Sequence, residues 1–176
     1  MGRDILVDGY NILKNEPSFK AAETRNLAGA RHLLITQLVN RYRHTPHQVI
    51  VVFDGDGTTE EVSHDRGIRI IFSRQGETAD GVIARLAAQA RSAGREVEMY
   101  SNDIAVQRAV AEQGGRVCTT GQLASQLNAA PPDVAKRAKH RMAMRRKYGL
   151  DPAYDADEEP EPKRSPGGKK RPSHRR

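Results

Sequence analysis

Ile5-Leu6-Val7-Asp8-Gly9-Tyr10-Asn11 decides the fold. Three apolar residues, two of them β-branched, run into an acid, a glycine and an asparagine, the pattern of a buried strand that stops at a turn. In open α/β sheets the carboxyl edge of the strands is where ligands bind, so Asp8 at that edge raises the question of which other residues arrive there. Val49-Ile50-Val51-Val52-Phe53 is a second, unbroken apolar run. A strand apolar on both faces belongs to a parallel sheet covered on each side by helices. Ile68-Arg69-Ile70-Ile71-Phe72 reads as a third strand, Val97 to Ser101 as a fourth and Arg116-Val117-Cys118 as a fifth.

Between the strands the period changes to that of helices. Ile12 to Lys20 contains Pro17 and reads as a loop or short turn. From about Thr24 the residues Leu27, Leu34, Leu38 and Tyr42, with Ile35 and Val39, share one face, and Pro46 closes that helix. Thr58 to Arg66 is polar and reads as a surface loop. Thr78 is suited to cap a helix that buries Val82, Ile83, Leu86, Ala87 and Ala90. Asn102-Asp103 opens another, with Ala105, Ala109 and Val110 inward and Gly114-Gly115 as its stop. Thr120 caps a small helix through Leu127. Alternating strands and helices predict a three-layer α/β/α sandwich around a central, mostly parallel sheet.

The charge is unevenly placed. Residues 1–130 hold 15 Lys+Arg against 15 Asp+Glu, whereas residues 131–176 hold 14 against 7, so the whole net charge of +7 sits at the end of the chain. Pro131-Pro132 opens a helix with an apolar stripe of Ala135, Ala138, Met142 and Tyr148. Lys136, Arg137, Lys139, Arg141, Arg145, Arg146 and Lys147 cover the remainder. Such a cluster suits a polyanion, because phosphate backbones bind Lys and Arg through counterion release. From Asp151 the chain lacks the apolar content to offset ordering entropy and is expected to be disordered. The expected domains are therefore 1–130, a basic helix at 131–150 and a charged tail at 151–176. The single cysteine, Cys118, excludes an intramolecular disulfide framework, and no apolar run has the length of a membrane span. With no signal-peptide pattern at the first residues, a cytoplasmic location is expected.

Four acids converge on one edge. Asp8 follows the first strand, Asp54 the second, Asp80 opens the helix after the third, and Asp103 follows the fourth. Singly, each has an ordinary explanation as a turn residue or a helix-start carboxylate, worth about 0.3–1 kcal/mol beside the helix dipole. Together they would repel one another unless a cation neutralised them. An all-oxygen set without thiols or histidines suits Mg²⁺ or Mn²⁺ rather than zinc. Such an ion completes its shell with phosphate, so metal-assisted phosphodiester hydrolysis is the leading chemistry. Asn11, and less strongly Ser101, suit the orienting of a water or phosphate.

At these residues the sequence resembles a known family. Leu6-Val7-Asp8-Gly9-Tyr10-Asn11, Val51-Val52-Phe53-Asp54, Glu77-Thr78-Ala79-Asp80 and Ser101-Asn102-Asp103 follow the order and spacing of the YacP-like NYN-domain ribonucleases of the PIN-like superfamily. The resemblance covers about residues 3–148. It implies a Mg²⁺- or Mn²⁺-dependent endoribonuclease leaving 5′-phosphate and 3′-hydroxyl ends, with an association with mRNA decay at the ribosome. By position Asp8, Asp80 and Asp103 match the metal-binding acids, and Asn11 and Asp54 match supporting positions. Arg74 stands where the family tends to place a basic residue that could touch RNA backbone. Gln107 replaces an acid that some members carry one helical turn after Asp103, which bears on a two-metal site.

Two rivals have sequence support. Phe53-Asp54-Gly55-Asp56-Gly57-Thr58 spells the Asp-x-Asp-Gly-Thr motif of haloacid-dehalogenase-type phosphatases, in which the two acids are nucleophile and general acid. That fold also needs a phosphate-holding lysine, and none lies between Lys20 and Lys136. The other rival is a non-catalytic RNA- or ribosome-binding module that depends on the basic helix.

Overall fold

The computed structural model describes residues 2–129 and 132–148, with side chains in the last helix described for 136–145. Six strands form one sheet in the order β3-β4-β2-β1-β5-β6. These are β1 (Asp4–Asp8), β2 (Gln48–Phe53), β3 (Glu61–Asp65), β4 (Ile68–Phe72), β5 (Val97–Tyr100) and β6 (Arg116–Cys118). All neighbours are parallel except β3, which pairs antiparallel with β4. The chain builds outward from β1 through β2 to β4, then returns to the other flank of β1 as β5. The boundary between β1 and β5 is thus the topological switch point, where the crevice of such a sheet opens.

Successive side chains of a strand point to opposite faces, and here both faces are covered. Ile5, Val7, Val51, Phe53 and Ile70 pack with one group of helices: α1 (Gly9–Asn15), α2 (Pro17–Glu23), α3 (Leu27–Tyr42) and α6 (Thr120–Asn128). Leu6, Ile50, Val52, Ile71 and Met99 pack with α4 (Ala79–Ser92) and α5 (Ile104–Glu112) on the other face. The three-layer sandwich with a mostly parallel sheet is therefore what the chain adopts.

Several local expectations are corrected. Ile12 to Lys20 is not a loop: Pro17 stands in the first turn of α2, where its missing N–H costs nothing, so it starts a helix instead of preventing one. Thr58 to Arg66 is not simply a loop, because Glu61–Asp65 forms the edge strand β3, its residues almost all exposed. Leu27 is 39% exposed rather than part of the buried face of α3. In α5 the buried residues are Val106 and Val110, while Ala105 is exposed. The cap of α6 is Thr119, in a reciprocal capping box with Gln122, and not Thr120.

The chain divides into two units, one to Lys136 and one from Arg137. The helix α7 (Pro132–Tyr148) forms as expected, but Met142 on its anticipated apolar stripe is 68% exposed. The side chains of Ala135, Arg146, Lys147 and Tyr148, and the tail from Asp151, lie outside the described residues. Among the described residues no helix is long and apolar enough to cross a membrane.

Candidate active site

The four parallel strands β4, β2, β1 and β5 are consecutive in the sheet, and each delivers one of the predicted acids at its carboxyl end. Asp8 is the last residue of β1 and the N-cap of α1. Gly9 after it has no alternative, because a Cβ there would stand 2.2 Å from the Phe53 ring. Asp54 follows β2, and its Oδ1 accepts from the Ala79 N–H at 2.7 Å, tying β2 to the start of α4. Gly55 is equally required, since a Cβ would lie 2.2 Å from the Ser73 carbonyl oxygen. Thr78 caps α4 by accepting from the Gly81 N–H and so sets Asp80 in the first turn. Asp103 caps α5, its Oδ1 accepting from Ala105 N–H at 2.8 Å and Val106 N–H at 3.3 Å.

Asp8 is the best-held of the four. Only 7% exposed, it accepts from the Asn11 N–H at 3.3 Å on Oδ1 and from the Ser101 hydroxyl at 3.0 Å on Oδ2. The second bond crosses the switch point. Ser101 is fully buried and its hydroxyl in turn accepts from the Asp103 N–H at 3.0 Å, so one oxygen links two of the acids. Asn11 Oδ1 accepts from the Asn102 N–H at 2.8 Å, a second tie between the same turns. Gln107 donates to the Ser101 carbonyl at 2.7 Å. It therefore fixes the turn that carries Asp103, which a carboxylate at that position could not do by donation. Asn102 and Thr120 exchange two hydrogen bonds, 2.8 and 3.0 Å, and anchor the turn to α6.

Electrostatics follow from this crowding. Burial pushes the Asp8 carboxyl up to about 6, against hydrogen bonds from Asn11 and Ser101 that favour its charge; Asp80 and Asp54 raise it further. Asp80 is raised as well, first by burial and then by the charges of Asp103 and Asp54. Asp80 thus couples to Asp103 and Asp54 in its own shift and to Asp8 in that of Asp8. Among the described residues, no Lys or Arg forms an ion pair with any of these four acids, and Asp80 accepts no hydrogen bond. Arg74 is 63% exposed at the side chain and is held by Glu77 at 3.5 Å, while Glu77 also reaches Arg85.

The fit to a divalent ion rests on donor chemistry and not on a preformed cage. The donors are all oxygen and carry no compensating cation, which matches Mg²⁺ or Mn²⁺. Yet among the described residues no three His, Cys, Asp or Glu side chains stand together as a ready chelate. The acids share a mouth in which Asp8 and Asp80 are raised, without forming a closed cage. That suits an ion bound by one or two carboxylates and completed by substrate phosphate and water.

Sequence reasoning ranked Ser101 too low and missed Asn102, Thr120 and the bracing role of Gln107. A serine that ends a buried strand was the available signal; the partners of the other three come from distant segments.

The model of the YacP-like NYN domain matches residues 5–161. The uncharacterized protein YacP of Bacillus subtilis (strain 168) is 27% identical over 138 residues, 77% of this chain and 81% of that protein. Two crystal structures of Rae1 (YacP) from Bacillus subtilis are similar in fold. One, of a mutant, has a TM-score of 0.64 at 25% identity, covering 84% of this chain and 86% of that one. The other has a TM-score of 0.61 at 26% identity, covering 81% and 82%.

Proposed function

The chain belongs to the YacP-like NYN family of PIN-like nucleases, and from that premise we propose that it is an endoribonuclease that hydrolyses RNA phosphodiester bonds with Mg²⁺ or Mn²⁺. One observation carries the proposal: four carboxylates come to the carboxyl edge of four adjacent parallel strands, Asp8 and Asp80 are raised there by burial and by their acidic neighbours, and among the described residues no cation pairs with any of the four.

Asp8, Asp80 and Asp103 would line the ion's seat, one or two of them as direct ligands and the rest through water, with Asp54 at its border. The ion would supply charge for the phosphoryl oxygens and a water acidic enough to attack at neutral pH. The chain's own residues do the positioning. Ser101 orients Asp8 by donation and Asp103 through its backbone, so the two flanks of the switch point move as one piece. Asn11 braces the same turns through its carboxamide oxygen, and its NH₂ group is left to donate toward a phosphate or water. Arg74 would meet the RNA backbone beside the mouth. On α7, Lys136, Arg137, Lys139, Arg141, Arg145 and Arg146 would add backbone affinity without base selection. Action in the cytoplasm on mRNA at the ribosome is the setting we propose.

The experiment is cleavage of a 5′-labelled single-stranded RNA with Mg²⁺, with Mn²⁺ and with EDTA. Fragments ending in 5′-phosphate and 3′-hydroxyl, formed only with metal, are expected. Hydrolysis of p-nitrophenyl phosphate that Asp54→Asn abolishes and Asp8→Asn spares would overturn the reading in favour of a phosphatase.

A further inference from the structure

The loop after β2 is not used up by Asp54. Asp54, Gly55, Asp56, Gly57 and Thr59, with Glu61 of β3, form one wall of a cleft of about 560 Å³. The opposite wall is Tyr10, Leu27, Arg31 and Phe72, so the cleft begins at the acid mouth and extends from it along one flank. Its base is a stack of planar groups. The Phe53 and Phe72 rings stack with centroids 5.3 Å apart, and Tyr10 tilts against Phe53 at 5.0 Å. The Arg31 guanidinium lies over Phe72 at 5.3 Å and donates to the Tyr10 hydroxyl at 3.0 Å.

The rim has the wrong charge for phosphate. Asp54, Asp56 and Glu61 face a single cation, Arg31, and among the described residues neither the Asp56 nor the Glu61 side chain has a hydrogen bond or ion pair. A phosphate would be repelled, whereas a neutral planar group with N–H donors on its edge would be welcomed by both features. Unstacked RNA bases are held in this way, on aromatic rings or guanidinium planes, with their edges hydrogen-bonded.

We propose that this cleft receives one base of the RNA strand beside the cleaved bond, and that the base it prefers is guanine; the inference rests on the ribonuclease reading of the neighbouring acids. Guanine presents N1–H and N2–H₂ side by side, two donors that one carboxylate accepts in parallel. Adenine and cytosine place an acceptor nitrogen next to their amino group, and uracil flanks its one N–H with two carbonyls. Each of those turns a lone pair toward the carboxylate rim. With Phe72 covered by Phe53 and Arg31, the Arg31 plane and the half-buried Tyr10 ring supply the stacking, and Asp56 and Glu61 the selection.

The test separates base binding from cleavage. In EDTA, the wild-type protein is titrated with the dinucleotides GpA, IpA and UpA, following the NMR signals of Tyr10, Gly55 and Gly57. GpA is expected to bind at least about fivefold more tightly than the other two, with the margin falling below about twofold in Asp56→Asn/Glu61→Gln. Both residues are exposed, so that variant keeps its fold. Equal binding of the three, or a preference that survives the double substitution, would overturn the proposal. In the second arm, guanines of a cleaved RNA are replaced singly by inosine. A loss of cleavage at one fixed offset from the cut supports the site, and indifference at every offset overturns it. Guanine-selective binding without RNA cleavage in any metal would instead leave the base site standing and remove the ribonuclease reading.

Discussion

The two ends of the sheet treat buried carboxylates in opposite ways. At the amino end, Asp4 and Glu98 are 3% and 7% exposed and both are paired. Arg95 reaches Asp4 at 2.8 Å; Arg3 reaches Glu98 at 2.6 Å, with Arg116 at 4.0 Å and the Tyr100 hydroxyl also donating to it. Burial pushes Glu98 up, but the hydrogen bonds of Tyr100 and Arg3 and the charges of Arg116 and Arg3 outweigh it and hold the carboxyl below its ordinary value. At the carboxyl end Asp8 is equally buried, and it rises to about 6. A carboxylate buried for architecture is matched within the chain. One buried without a counter-charge is a standing cost that implies a partner from outside.

The largest expected effect is at Asp103, which both caps α5 and would hold the ion. Asp103→Ala should lower RNA cleavage on the order of 10³-fold, about 4 kcal/mol of activation free energy, and destabilise the fold by about 1 kcal/mol for the lost cap. Asp103→Ser should restore the melting temperature, because serine caps as well, without restoring cleavage. Recovery of both would reduce Asp103 to a cap and weaken the contrast between the two ends.

Next comes the paired end. Glu98→Ala should destabilise by about 2–3 kcal/mol in urea, since it leaves the buried Tyr100 O–H without its acceptor and Arg3 with only Glu96 at 3.7 Å, while the specific cleavage rate of the folded protein stays near wild type. An unchanged urea midpoint would show that pairing there contributes nothing.

Asp8 gives a smaller effect of opposite sign. A carboxyl raised from 3.8 to about 6 in the folded state contributes stability that is full below pH 3.8 and lost as pH rises through 6. In metal-free protein Asp8→Asn should therefore stabilise by about 1–2 kcal/mol at pH 8, with the gain vanishing near pH 4, while cleavage is lost. Melting curves at the two pH values check this. A variant less stable at pH 8 would mean that its hydrogen bonds outweigh the buried charge.

Smallest is the contribution of α7. Replacing Lys136, Arg137, Lys139 and Arg141 by Gln should weaken RNA binding about tenfold near physiological salt and flatten the salt dependence by about one unit per lost phosphate contact. An unaltered slope would mark the helix charge as solubilising.

The parts legible in the sequence were those whose signal is local. β1, β2, β4 and α4 are apolar runs or periodic faces, and the acids stand at their ends. β3 was illegible because Glu61-Val62-Ser63-His64-Asp65 is polar and becomes a strand only by pairing with β4. Pro17 misled because its meaning depends on whether it falls inside a helix or at its first turn. At the site, the four acids could be listed from the sequence, but the bond from Ser101 to Asp8 joins residues 93 apart in the chain. Gln107 read as a missing ligand until its donation to the Ser101 carbonyl gave it a positive role.

Among the described residues the acids at the carboxyl edge lack a counter-charge, which in the proposed function a divalent ion with its RNA phosphate would provide. Asp80 is raised by Asp103 and Asp54, in turn raises Asp8, and accepts no hydrogen bond among the described residues, so its replacement interferes least with the structure. The measurement is the rate of RNA cleavage across a Mn²⁺ titration for wild type and Asp80→Asn, with melting curves of both. Saturable, metal-dependent cleavage by wild type and loss on the order of 10³-fold in an equally stable Asp80→Asn is the predicted result. Cleavage by the two proteins at the same rate, or at a rate indifferent to Mn²⁺, would contradict it.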